Sequence, residues 1–511
     1  MSSQISAERT GLNIASQWCQ HIVAIVVNLF LVGYVVGKVG PKYYGGWTTI
    51  MSIVGYLSIL DAGMSVAIQH YVARLSAKQE KSKLVSVFSS SYIVYGIGAV
   101  IASLLCLYFS FIFPAVFSKV PEKAAQECGI ALRWVAASMF LFIMNMPIQG
   151  ALYGLQRHYI RNSIEILSLI TQAVVVVILF HLFKPSLAYQ GAAFFIEVCV
   201  RFSLSYIALW RIKPELRFQP STVNRAALRQ IFSYGGHSFV WTISTVIIRD
   251  SAPILAVLLI SPEAATFWYV GNRLAVAIGG LVKGAGQVFV PVASSLYGSE
   301  KWEELRAVLI RSTRFCALFG LSGAAALIMF GRDLINFWVG PGYSISYYVL
   351  VITVLGWITS WIFNAAQAIL AGTRKLWLLT TMLLFYLILG VVLAIIMAKT
   401  WGILGLTAGL VIPMAIISSF FIPYFASKLC KIGLKKLSML TLPVPLGISL
   451  IVSLCILFMQ AIWPAVDIKV FVAECGMALI IFGILALLFG LDPASRNILL
   501  GKVGISYTKY L

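Results

Sequence analysis

In the stretch STVIIRDSAPILAVLLI (residues 244–260) an arginine and an aspartate, Arg249 and Asp250, stand side by side within an apolar run. Arg273 and Lys283 follow in the next apolar run, the latter flanked by Gly280 and Gly284. A guanidinium offers a planar fork that grips a phosphate or carboxylate through two hydrogen bonds, and an ammonium adds a compact positive charge. In a hydrocarbon setting each such charge costs about 2.5–3.5 kcal/mol at a helix centre. Three cations against the single acid Asp250 are poorly explained as structure alone, and an anionic ligand would supply the missing charge. For Arg249 and Asp250 two readings stand. Adjacent side chains on a helix project about 100° apart, so the two can neutralise partners on different helices in a fixed ion-pair network. Alternatively Arg249 is a grip on the ligand, and Asp250 balances a second cation or carries a coupling proton.

The elements that must hold these residues follow from composition. Hydrophobic residues make up 60% of the 511 and charged residues 11%, against about 25% charged in a soluble domain. Mean hydropathy is +0.94. The chain is an all-α integral membrane protein, because only helices or closed barrels satisfy their backbone in lipid. Its net charge of +21 fits the accumulation of Lys and Arg in cytoplasmic loops, so no nucleic-acid partner is expected. The eight cysteines are scattered, without a CxxC pair or a histidine at metal spacing, and no metal site is expected. The first apolar run, Ile14 to Val36, is long enough to remain in the bilayer as a span rather than be cleaved as a signal peptide.

Runs of about 20 apolar residues fall at 14–36, 45–69, 84–112, 128–154, 160–182 and 187–210, then at 233–260, 264–294, 306–330, 345–372, 376–398, 401–426, 439–463 and 468–490. That makes about fourteen spans. Lys and Arg favour one side roughly threefold when both termini are cytoplasmic, which sets the orientation. No loop is large enough for a fused ATPase. GGLVKGAG (279–286) lacks the Gly-Lys-Ser/Thr ending of a phosphate loop. The chain also repeats itself. A shift of 221 lays Pro41 on Pro262, Trp47 on Trp268 and Gly63 on Gly284, and a shift of 218 lays QGALYGLQR (149–157) on QAILAGTRK (367–375). The expected plan is two pseudo-symmetric six-helix bundles, residues 1–210 and 233–427, joined by a cytoplasmic connector at 211–232. Two further helices and a tail follow at 428–511. Parallel repeats of this kind commonly hold a transport substrate near mid-membrane.

The repeat carries a polar stripe in equivalent spans. Gln17, His21 and Asn28 share one face of the first span, and Ser238, Thr242, Thr245 and Arg249 the same face of the seventh. Either both stripes line a wet cleft between the halves, or they hydrogen-bond between helices within each bundle. Arg249 and Arg273 lie about 16 and 14 Å below the outer surface by helical rise. In the first half Asp61 lies in the second span, and Glu197 pairs with Arg201 at i, i+4 in the sixth. Arg133, Glu165 and Glu474 fall near span ends, where long side chains snorkel to the interface.

At LDAGMSVAIQHYVARLSAKQEKSK (60–83) the chain resembles the second span and following loop of bacterial polysaccharide flippases of the O-antigen and lipid-linked oligosaccharide type. These are relatives of the MATE exporters and the lipid II flippase. The resemblance implies a MATE-like fold in the bacterial cytoplasmic (inner) membrane. It implies alternating access that carries a polyprenyl-diphosphate-linked glycan, with membrane lipid and other polysaccharide assembly proteins as partners. The diphosphate-binding role then falls on Arg249, Arg273 and Lys283, with Gln17, His21, Asn28, Thr242 and Thr245 as cavity lining. No cofactor is expected beyond a proton or sodium gradient, for which Asp61, Asp250 and Glu197 are the candidate carboxylates, since a carboxylate in low dielectric can exchange a proton. A MATE-type drug/cation antiporter is the alternative, although a site for organic cations should be lined by acids and aromatics. A membrane-embedded glycan polymerase or glycosyltransferase is a third reading. It would need catalytic groups on sizeable loops, whereas Glu122, Glu127, Glu263, Asp333 and Asp467 stand singly on short ones.

Overall fold

Hydrocarbon offers no partner to a free backbone N–H or C=O, and the chain answers with helices throughout. The computed structural model describes residues 2–490 apart from 62, 288, 374, 375 and 466. Within the helices it leaves aside the side chains of 2–11, 14, 232–239, 285, 287 and 376. Among the described residues there are eighteen α-helices and no strand. Among those residues twelve stretches are long and apolar enough to cross a membrane, or thirteen when a bent pair is counted as one span. The side chain of Ser238 and the tail beyond residue 490 lie outside the described residues.

The chain divides into two units, Met1–Thr266 and Phe267–Leu511. In the first, α1 (Ser2–Val39), α2 (Pro41–Leu57), α3 (Met64–Ala77) and α4 (Lys81–Val116) are followed by α5 (Glu122–Gly154), α6 (His158–Leu182), α7 (Leu187–Ile212) and α8 (Arg225–Leu259). The axis of this unit is α5. Its buried face is mostly small, with Ala124, Ala125, Gly129, Ala131, Ser138, Gly150 and Ala151, so α4, α7 and α3 approach closely. The second span, read from sequence as one run, is broken. A 3₁₀ turn at Ser58–Asp61 and Gly63 at φ 74° separate α2 from α3, which bend by 46°. Between α7 and α8 the polar connector is stapled to the start of α4. Lys81 Nζ lies 3.0 Å from Glu215 Oε1, and that contact holds the Glu215 carboxyl below its usual range. Asn224 caps α8 by accepting from the Ala227 N–H at 2.7 Å, and its amide donates to Ser86 Oγ at 2.8 Å.

In the second unit α9 (Pro262–Gln287, its first residues in the first unit) and α10 (Phe289–Gly298) precede the long α11 (Trp302–Val339). Then come α12 (Ser344–Ile362), α13 (Asn364–Gly372), α14 (Leu376–Ile416), α15 (Ile422–Leu429), α16 (Leu434–Thr441), α17 (Pro443–Ile462) and α18 (Ile468–Leu485). The repeat register is visible in the backbone. Pro41 and Pro262 each open a helix. Gln79 and Glu300, 221 residues apart, both take a left-handed φ, 56° and 57°. Glu474, expected to snorkel, is instead 1% exposed. It falls on the stripe of α18 whose neighbours Phe471 and Ala478 pack with Phe330 of α11 and Val452 of α17.

One helix turns back on itself. Trp401 (φ −118°, ψ 15°) and Gly402 (φ 57°, ψ −137°) break α14, and beyond the break Gly409 lies against the backbone of Leu393 and Ala394. A Cβ at 409 would overlap that backbone, whereas one at Gly447 in α17 would meet nothing within 4 Å. Gly409→Ala is therefore expected to destabilise the protein by about 1–3 kcal/mol, while Gly447→Ala is near neutral. Thermal unfolding of the two variants in detergent checks this, and equal melting temperatures would refute the folded-back packing.

Candidate functional site

A cavity of about 710 Å³ opens inside the first unit, within the usual range of small-molecule sites. The break between α2 and α3 contributes Ser58, Asp61 and Ser65 to its wall. One stripe of α5 contributes Asn145, Gln149 and Tyr153 at i, i+4 and i+8. Arg161 and Glu165 come from α6, Arg201 from α7, and Trp241, Thr242, Thr245 and Arg249 from α8. Three arginines thus meet two carboxylates on one wall set.

Their pairing is specific. Asp61 caps α3, accepting from the Ser65 N–H at 3.2 Å and the Ser65 hydroxyl at 2.9 Å, and it also accepts from the Tyr95 hydroxyl. Arg161 reaches Glu165 at 3.8 Å, Arg201 reaches Glu165 at 3.8 Å, and Arg201 closes on Glu197. The sequence-based pairing of Glu197 with Arg201 is present, and the chain of charges extends it. Arg161 also donates to the Tyr153 hydroxyl at 2.9 Å and stacks on that ring at 4.6 Å. Glu197 is 1% exposed, so its charge depends on Arg201 for compensation.

Arg249 and Asp250 pair with each other rather than with other helices. Arg249 Nε donates to both Asp250 oxygens at 3.0 and 3.1 Å, and a terminal guanidinium nitrogen donates at 2.6 Å. The 100° offset between neighbours is overcome because the long arginine folds back along the helix. Asp250 has room because it lies against α2 where Gly55 carries no side chain.

Of the residues singled out from sequence, Asp61, Thr242, Thr245 and Arg249 line this cavity, with Asp250 and Glu197 bonded to its arginines. Gln17, His21 and Asn28 do not line it. Gln17 contacts His21 at 3.1 Å and Asn162 of α6 at 3.5 Å, and Asn28 donates to the Ala24 carbonyl. These are bonds within the bundle. Arg273 and Lys283 lie on α9 in the second unit. Arg273 stands 5.9 Å from the Tyr269 ring centroid, Lys283 is exposed, and among the described residues neither has a carboxylate within 4.0 Å. Sequence reasoning missed Arg161 and the α5 stripe, and it took Glu165 for a snorkelling residue. The i, i+4 spacing of Arg161 with Glu165, and of Asn145 with Gln149 and Tyr153, was the available signal.

A family model described as polysaccharide biosynthesis protein matches residues 7–297. The chain belongs to that family. Among curated relatives, the uncharacterised membrane protein EpsK of Bacillus subtilis (strain 168) is 19% identical over 336 residues, spanning 65% of this chain and 66% of EpsK. A Shigella flexneri protein described as a candidate O-antigen transporter is 19% identical over 352 residues, 68% of this chain and 80% of its own. The fold is shared with the lipid II flippase MurJ in an inward closed conformation, at TM-score 0.69 and 13% identity over 96% and 99% of the two chains. It is shared also with an inward-facing MATE-family multidrug transporter, at TM-score 0.63 and 19% identity over 79% and 95%.

The charge chain makes a stability prediction for this family member. Arg201→Met strands the buried Glu197 and is expected to cost about 3–5 kcal/mol. Adding Glu197→Leu should restore most of the loss, because an apolar pair needs no compensation. Melting temperatures of the two variants decide it: no recovery in the double variant means that Arg201 stabilises through something other than Glu197.

Proposed function

We propose that this protein is a flippase that moves a lipid-diphosphate-linked oligosaccharide, a polysaccharide repeat unit, across the bacterial cytoplasmic membrane by alternating access. The observation that carries this reading is the cavity of about 710 Å³ in a membrane helix bundle, lined by Arg161, Arg201 and Arg249 against Asp61 and Glu165. A charge at the centre of a membrane helix is retained at a cost of about 2.5–3.5 kcal/mol, and a diphosphate is the cargo chemistry that uses a guanidinium fork. Family membership and the likeness to a candidate O-antigen transporter support the glycan part of the reading.

In this reading the diphosphate-binding role falls on Arg249, Arg273 and Lys283. Thr242 and Thr245 line the path, and Gln17, His21 and Asn28 are proposed as further polar lining. The polyprenyl tail remains in membrane lipid. The stretch Trp377–Leu429, broken at Trp401–Gly402, is counted as two crossings, which with the bent α2–α3 pair gives fourteen spans and leaves both termini cytoplasmic. The lobes are taken as 1–210 and 233–427, the connector as 211–232, and 428–511 as an appendage. A proton or sodium gradient drives transport through Asp61, Asp250 or Glu197. A MATE-type cation antiporter is the alternative, for which acids and aromatics should line the site.

Arg249→Ala and Arg273→Ala are each expected to abolish export at normal protein level, with lipid-linked glycan accumulating on the inner leaflet. Lysine at either position should retain partial export, since it keeps the charge and loses the fork. Full export by the alanine variants would remove the diphosphate-grip reading.

A further inference from the structure

The fork of Arg249 is already occupied. Two of its nitrogens engage both oxygens of the Asp250 carboxylate, the same side-on arrangement that a guanidinium offers to a phosphate. The two partners are not equally placed. The Arg249 side chain is 61% exposed and lines the cavity, while that of Asp250 is 13% exposed. Asp250 faces the other way, into the contact between α2 and α8. A Cβ on Gly55 would overlap Asp250 Oδ2, so the carboxylate fills the space that glycine leaves in α2. One residue further along both helices, Tyr56 and Ser251 join hydroxyls at 2.6 Å. Among the described residues no other acid lies within ion-pair distance of Arg249, and no other base within that of Asp250.

We propose that Asp250 is a resident competitor for the cargo anion. An incoming oxyanion takes the Arg249 fork only by displacing the Asp250 carboxylate, and the return of Asp250 expels it. This rests on the reading of the cavity as an anion site and states how that site is regulated. A site that is available for only part of the time binds with an affinity reduced by that fraction. The internal carboxylate therefore weakens binding and speeds release, as a carrier needs and a storage site does not. The exchange also ties cargo to structure, because the displaced carboxylate is the group seated against Gly55 between α2 and α8.

The test uses the full-length protein in detergent, with inorganic pyrophosphate as the probe and calorimetric titration of wild type, Arg249→Ala, Asp250→Asn and the double variant. Asp250→Asn is expected to bind about tenfold more tightly than wild type, Arg249→Ala to bind much more weakly, and the double variant to match Arg249→Ala. Simple removal of a negative charge would instead tighten binding by the same factor in both backgrounds, and that result overturns the competitor. An Asp250→Asn protein that binds like wild type, while Arg249→Ala is weakened, also overturns it and leaves the anion site standing. Arg249→Ala binding like wild type, or no pyrophosphate binding by any of the four proteins, overturns the anion reading itself. Asp250→Ser, which only removes atoms from the gap beside Gly55, replaces Asp250→Asn if the latter does not fold.

Discussion

Hydrocarbon does not solvate charge, and the arrangement of this molecule follows from that constraint. Wherever a charged side chain lies deep in the first unit, it is answered by an opposite charge, a hydroxyl or an aromatic face. Arg161, Glu165, Arg201 and Glu197 form a chain of alternating sign across α6 and α7. Asp61 is held by Ser65 and Tyr95. Such networks are high-stakes in low dielectric, since each satisfied member strengthens its neighbours and each orphan is costly. The helices around the cavity are thereby fixed in rotation as well as position. A turn of α6 by one residue would carry Arg161 and Glu165 away from both Arg201 and Tyr153.

The constraint also explains why the polar wall sits where it does. The α5 helix is mostly small or apolar on its buried face, and toward its C-terminal end the stripe of Asn145, Gln149 and Tyr153 meets the cavity. The break at Ser58–Gly63 has the same logic. A helix interrupted beside a polar cavity can turn its freed backbone groups toward side chains such as Asp61 rather than toward lipid.

Much of this was legible from residues alone. Apolar runs and the 221-residue register located the helices, because both are properties of one continuous stretch of chain. The pairing of Glu197 with Arg201 was legible for the same reason, being an i, i+4 contact. What was not legible depended on contacts between distant segments. Glu165 looked like a span-end residue until α7 brought Arg201 beside it. Glu474 looked equally ordinary until α18 turned its stripe onto α11. The partner of Arg249 was missed in the opposite direction, as the nearest acid in sequence was set aside in favour of remote ones. Gly55, which makes room for that acid, carries no signal in its own segment.

The turn shared by Gln79 and Glu300 has a genealogical consequence. Both residues hold a left-handed bend that glycine would adopt more easily, and most side chains around them have diverged between the two copies. A doubled ancestor would have passed down the bend while the residues that once justified it were exchanged. The heirloom in this lineage is then the path of the main chain, and resemblance between its members should outlast recognisable spelling.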